Sequence, residues 1–114
     1  MGNIYLLNSL IVPVDFDRIS EAKISLKRID VKMAREILSR GFISAIGHEA
    51  TARLLSRVLG LHVPFSRSSV FMERGDKAIH IFLKQRLPEG AVLTETELSK
   101  LDYWLVLSEV EEVT

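Results

Sequence analysis

Two short segments hold the side chains best suited to chemistry: Ile46-Gly47-His48-Glu49-Ala50-Thr51 and Gln85-Arg86-Leu87-Pro88-Glu89-Gly90. The first sets a histidine where a turn becomes a helix. The second sets an arginine and a carboxylate just past an alternating, strand-like run. A titratable imidazole, a fixed cation and a carboxylate suffice to cleave a phosphodiester without a metal. Gly47 permits close backbone approach by a ligand, and the free N–H groups of a helix beginning at His48 form a ready site for phosphate oxygens. A general acid must carry its proton, and the positive end of a helix works against an imidazolium. Glu89 is the carboxylate that would favour the charged form if the two segments meet. Glu49 is adjacent in sequence, but consecutive helix residues point in different directions.

Arg86 continues the strand face that carries His80 and Lys84. A guanidinium at a strand end can grip a phosphate through two parallel hydrogen bonds and oppose charge developing in a transition state. Plainer readings stand beside these. His48 could be a surface residue near a helix start, and Arg86 could form an exposed ion pair with Glu89 worth about 0–1 kcal/mol. Arg53, Arg57 and Arg67 could simply solvate a surface, while His62 and His80 suit structural roles. His48-Glu49-Ala50-Thr51-Ala52 begins like a zinc-protease helix, but Ala52 stands where that motif needs its second histidine. No other cluster has metal-ligand spacing, so neither a metal nor a cofactor is expected.

The elements that must position these residues follow from local pattern. Ile4-Tyr5-Leu6-Leu7 reads as a buried strand closed by Asn8-Ser9, and residues 12–14 as an extended stretch around Pro13. Residues 22–29 alternate apolar and polar, the period of a half-buried strand. Asp30 caps a helix predicted over residues 31–39, with Met33, Ala34, Ile37 and Leu38 on one face and Gly41 after its end. A second helix is predicted over 48–59, with Ala52, Leu55, Val58 and Leu59 forming its stripe and Gly60 its stop. Residues 69–73 and 77–85 read as a hairpin joined through Arg74-Gly75-Asp76. In its second strand Ile79, Ile81 and Leu83 face one way and His80, Phe82 and Lys84 the other. Thr94 and Glu97 form a capping box for a helix over 94–101. Residues 103–108 complete the set as a strand, followed by a polar tail over 109–114. The order β-β-α-α-β-β-α-β requires both hairpins and crossovers, hence an α/β fold: one mixed sheet of about five strands flanked by helices.

Composition narrows the function classes. A chain of 114 residues is one domain, spanning 1–114. Its 47% hydrophobic and 26% charged content is that of an ordinary globular protein. Fifteen Lys plus Arg balance fifteen Asp plus Glu, giving a formal net charge of zero. That argues against nonspecific coating of DNA, so no stable DNA complex is expected. A small anion held by a few focused arginines fits better. The absence of cysteine excludes disulfides, thiolate zinc sites and cysteine nucleophiles. Residues 1–12 lack a basic leading segment and a small-residue cleavage pattern, and no apolar run approaches the ~20 residues of a membrane span. The expected location is the cytoplasm, the host's if the chain is viral.

The chain resembles the viral type III anti-CRISPR ring nucleases and their cellular relatives, small proteins that cleave cyclic tetra-adenylate, the second messenger of type III CRISPR defence. Four places carry the resemblance, in the family's order and at similar separations: Tyr5-Leu6-Leu7-Asn8, Ile46-Gly47-His48-Glu49-Ala50-Thr51, Phe65-Ser66-Arg67 and Gln85-Arg86-Leu87-Pro88-Glu89-Gly90. It implies a homodimer with the ligand across its two-fold axis, a symmetry that a cyclic tetranucleotide can match. His48 corresponds to the family's catalytic histidine, Glu89 to its assisting glutamate and Arg86 to a phosphate-contacting arginine. Asn8, Ser9, Gly47, Arg67 and Gln85 fall at places of expected substrate contact. Two departures are visible: Pro88 stands where the family often has a second acid, and Ile11 where a serine is usual.

The implied reaction is metal-free. The 2′-hydroxyl of the substrate attacks the neighbouring phosphorus, His48 protonates the leaving 5′-oxygen, and Arg86 opposes the charge of the transition state. The products are linear di-adenylates with cyclic 2′,3′-phosphate ends. Three other functions fit the same residues. The chain could be a small dimeric nucleic-acid-binding regulator using Arg53, Arg57 and Arg67. It could bind a cyclic oligoadenylate without cleaving it, or be a purely structural interaction protein.

Overall fold

Asp30 shows how local chemistry sets the first helix. Its carboxylate accepts the Met33 N–H at 2.8 Å, satisfying one of the orphan donors at the start of α1 (Val31–Leu38). The structure, a computed structural model, describes residues 2–84 and 94–114. Around α1 the chain runs β1 (Ile4–Leu7), β2 (Ala22–Ile29), α1, β3 (Ile43–Ser44), α2 (Glu49–Leu59), β4 (Lys77–Leu83), α3 (Glu95–Ser99) and β5 (Tyr103–Val113). Among the described residues the strands form one five-stranded mixed sheet in the order β2-β5-β4-β1-β3. β1 lies parallel to both β3 and β4, whereas β5 is antiparallel to β4 and to β2.

The sheet has two unlike faces. On one, Leu6, Ile29, Ile79, Ile81 and Leu105 meet Ala34 and Leu38 of α1 and Ala52, Leu55 and Leu59 of α2, forming the main core. On the other, Tyr5, Leu7, Ala78 and Val110 pack with Met72 and with the partly buried Val12, Val14 and Val70. These segments cover only part of that second face. α2 stops at Gly60, whose φ of 69° is left-handed and suits a residue without a Cβ. There the Arg35 Nε donates to the Leu59 carbonyl at 2.6 Å, tying the end of α2 to α1. The capping box of α3 forms in both directions, with Glu97 N–H to Thr94 Oγ1 and Thr94 N–H to Glu97 Oε1 each at 3.1 Å. The Thr94 backbone N–H first, and the Thr94 hydroxyl second, hold the Glu97 carboxyl below its ordinary pKa.

Two local expectations are corrected, and one strand is added. Residues 69–73 form no strand, because β4 lies between β1 and β5 with both edges already paired. Instead Met72 N–H bonds to the Pro13 carbonyl at 2.7 Å, and the buried Asp76 carboxylate accepts from Asn3 N–H at 2.8 Å and Glu73 N–H at 2.7 Å. Residues 109–113 are not a tail but the second half of β5. They pair with β2, with a bulge between Lys23 and Ile24, and Val110 is fully buried. The short β3, absent from the sequence reading, lies parallel to β1 through Tyr5↔Ile43 and Leu6↔Ser44. Among the described residues no helix is long and apolar enough to cross a membrane.

Candidate functional site

Three parallel strands, β3, β1 and β4, are neighbours in the sheet. Their carboxyl ends therefore share one edge, the usual place for a ligand in a sheet of this kind. β1 delivers Asn8 and Ser9 there. β3 leads through Ala45, Ile46 and Gly47 to His48, with the Ala45 N–H bonded to the Leu6 carbonyl at 3.0 Å. β4 ends at Leu83 on the same edge. Gln85, Arg86 and Glu89 lie outside the described residues.

His48 is the N-cap of α2, with extended backbone (φ −125°, ψ 121°). Its carbonyl accepts the Ala52 N–H at 3.0 Å, while its imidazole makes no capping hydrogen bond and is exposed. The ring is thus left for other work. An eleven-residue helix beginning at Glu49 presents free N–H groups in its first turn. Glu49 would oppose an anion there, but its carboxylate takes the Arg53 guanidinium at 3.1 Å, one turn along the helix. That pairing offsets the negative charge locally.

The 64–67 segment lies alongside the approach to His48. Ser44 Oγ donates to the Pro64 carbonyl at 2.6 Å, Ser66 N–H to the Ile46 carbonyl at 2.9 Å, and Arg67 Nε to the Gly47 carbonyl at 3.3 Å. Arg67 is exposed and its guanidinium carbon lies 5.7 Å from the centre of the Phe65 ring. A Cβ at Gly47 would make ordinary contact with the Arg67 side chain at 3.6 Å. Gly47 has no positive φ, so neither its backbone conformation nor its protein neighbours require a glycine there.

A cavity of about 450 Å³ opens at this edge, lined by Asn8, Ser9, Leu10, Ile11, Thr51, Ile81, Phe82 and Leu83. It joins the exit of β1 to the first turn of α2 and the end of β4. Of the expected site residues the cavity lining takes Asn8 and Ser9, while Gly47, His48 and Arg67 form a second group at the same sheet edge, outside that lining. Thr51, Phe82 and Leu83 belong to the cavity and escaped the sequence reading as site residues. Thr51 lies within the quoted glycine-histidine segment, three residues into the helix, and that position was the available signal. Arg53 is absorbed by Glu49 and His62 is exposed. His80 is fully buried, its Nδ1 2.9 Å from the Ser9 carbonyl and its Nε2 2.7 Å from Ser108 Oγ. Burial pushes its pKa down from the ordinary value, only partly countered by the Ser9 carbonyl.

The chain matches the family model described as STIV B116-like over residues 4–105. It is 39% identical over 109 residues to "Uncharacterized protein 26" of Sulfolobus islandicus filamentous virus, covering 94% of this chain and 91% of the relative. It is 44% identical over 104 residues to "Uncharacterized protein ORF117" of Acidianus two-tailed virus, covering 88% and 86% respectively. A bacterial protein, YddF of Bacillus subtilis, is 34% identical over 104 residues, covering 91% and 94%. Among solved structures, B116 of Sulfolobus turreted icosahedral virus superimposes with a TM-score of 0.77 at 25% identity, covering 95% of this chain and 99% of that one.

Proposed function

The chain belongs to the STIV B116-like family, and from that premise, joined to the geometry of the sheet edge, we propose that it is a metal-independent ring nuclease opening cyclic tetra-adenylate. The observation that carries this reading is the placement of Asn8-Ser9, the helix start at His48 and Arg67 at one edge of the sheet, past the carboxyl ends of β3, β1 and β4. Helix N–H groups and Arg67 supply phosphate recognition. His48 is a free imidazole poised to protonate a leaving 5′-oxygen after the 2′-hydroxyl attacks. Arg86 and Glu89 enter by their motif alone, as charge stabiliser and as the partner of His48, and Gln85 as a ligand contact. Opening the ring removes the messenger and so switches off type III CRISPR signalling, the role of an anti-CRISPR protein.

The proposal includes a homodimer. Phe82 and Trp104 stack at 5.3 Å on the sheet face opposite α1 and α2, with Lys84 Nζ 4.9 Å from the Trp104 ring centre. Val106 lies on that face too and Leu26 beside it, 57% exposed. Tyr103 and Leu105 alternate onto the core face and do not compete for this role. Phe82 also lines the cavity, so a second copy seated on this face would adjoin the ligand. Zero net charge and the Arg53–Glu49 pair weigh against a nucleic-acid-binding regulator.

The test is incubation with labelled cyclic tetra-adenylate in excess chelator, with products resolved by chromatography. Linear di-adenylates ending in cyclic 2′,3′-phosphate support the proposal. Binding without products would reassign the chain as a sequestering protein, and neither binding nor products would remove the proposal.

A further inference from the structure

A buried histidine connects the second face of the sheet to the wall of the candidate site. His80 sits opposite Leu7 in the parallel β1–β4 pairing and opposite Val106 in the antiparallel β4–β5 pairing. Its side chain is fully buried. A carbonyl oxygen can only accept, so the bond to Ser9 places the proton of the neutral ring on Nδ1, and the bare Nε2 accepts the Ser108 hydroxyl. The ring thus spans β4, β5 and the segment leaving β1, three parts of the chain that no local pattern joins.

An apolar side chain would fill this position without the cost of burying a polar ring. What the imidazole adds is a directional hold on one backbone carbonyl just past the end of β1. The segment beyond is fastened again at the Pro13 carbonyl by Met72 N–H. Between the two fastenings Leu10 and Ile11 are exposed and, with Asn8 and Ser9, line the cavity. We propose that His80 is a positioning residue, its Nδ1–H fixing the Ser9 carbonyl so that the Asn8–Ile11 wall of the cavity is formed before ligand arrives. The inference rests on the reading of that cavity as the ligand site. A wall held in place spares the ligand the cost of ordering it.

Two amide substitutions separate the halves of the ring. The amide nitrogen of asparagine reaches the place of Nδ1, and that of glutamine reaches the place of Nε2. His80→Asn is expected to keep the Ser9 bond, with hydrogen exchange at Leu10 and Ile11 and affinity for cyclic tetra-adenylate within about threefold of the unsubstituted protein. His80→Gln is expected to speed that exchange and weaken that affinity by about tenfold each, leaving kcat at saturation unchanged. In the unsubstituted protein, nitrogen NMR of His80 is expected to find the Nδ1–H tautomer. An Nε2–H neutral ring, or equal behaviour of the two variants in exchange, would overturn the inference. So would faster exchange in His80→Gln with unaltered affinity. If the unsubstituted protein fails to bind cyclic tetra-adenylate, the proposed function falls, and the tautomer and exchange measurements still decide whether His80 holds this wall.

Discussion

Arg67 Nε donates to the Gly47 carbonyl at 3.3 Å, linking residues twenty apart in sequence and setting a guanidinium beside the histidine that follows Gly47. Its terminal nitrogens make no hydrogen bond or ion pair among the described residues, so they remain free to meet a phosphate. Arg67→Ala should weaken binding of cyclic tetra-adenylate by about tenfold, the scale of one charge-assisted hydrogen bond. Unfolding free energy should move by less than about 0.5 kcal/mol, because the side chain is exposed. Arg67→Lys should restore affinity only in part, since an ammonium cannot reproduce the planar fork. Calorimetric titration paired with urea unfolding checks both halves. A loss of stability with unaltered affinity would make the residue a support for the 64–67 segment instead.

Arg86→Ala should reduce both binding and turnover more than Arg53→Ala or Arg57→Ala. Arg53 already neutralises Glu49, one turn along α2, so its removal takes away little that a ligand uses. Arg86 belongs to the glutamine-arginine-leucine segment whose resemblance to ring nucleases implies a phosphate contact. Equal losses at all three positions, read in steady-state kinetics, would favour a diffuse basic patch and a nucleic-acid partner.

Acidification should destabilise the fold through His80. The groups facing its ring are uncharged: the Ser9 carbonyl, the Ser108 hydroxyl, and the cross-strand neighbours Leu7 and Val106. Burial depresses its folded pKa below the ordinary 6.5. The unfolded chain therefore binds a proton more readily, and stability rises with pH across the interval between the two values. This contribution is complete above the unfolded pKa and is lost as pH falls through the folded one. Urea midpoints compared at neutral and mildly acidic pH should show the fall, and His80→Asn should flatten it. An undiminished slope in that variant would assign the acid sensitivity to other groups.

Much of the fold was legible because its signals are local. Asp30 before Val31, Gly60 after Leu59 and the Thr94–Glu97 box each act within one helical turn, and the alternation from Lys77 to Leu83 matches the two faces of β4. What escaped was set by distant partners. Residues 69–73 carry an apolar run beside a glycine turn, yet β1 and β5 had taken both edges of β4. The glutamates of 109–112 hid Val110 and Val113, whose inward direction depends on pairing with β2. β3 has two residues, too few to show a period. At the site, Gly47 and His48 stood out by type and spacing, whereas Asn8 and Arg67 were picked out by the resemblance alone. The hold of His80 on Ser9, across 71 positions, exists only through the sheet order.

His48→Ala should nearly abolish cleavage while leaving affinity for cyclic tetra-adenylate within about tenfold, because a general acid acts mainly in the transition state. The structure makes this substitution informative. The imidazole caps nothing and is exposed, and the bond that starts α2 comes from the His48 backbone carbonyl, which alanine retains. A drop in rate therefore cannot be traced to a lost side-chain cap. The magnitude should fall in the range of about 10²–10⁴ typical of general-acid catalysis. Glu89→Ala should slow the reaction less, since its proposed part is to orient His48 and favour the protonated ring. Single-turnover rates with saturating enzyme separate chemistry from binding in both variants. Cleavage surviving His48→Ala at near the unsubstituted rate would sink the mechanism, and a requirement for a divalent metal would do the same.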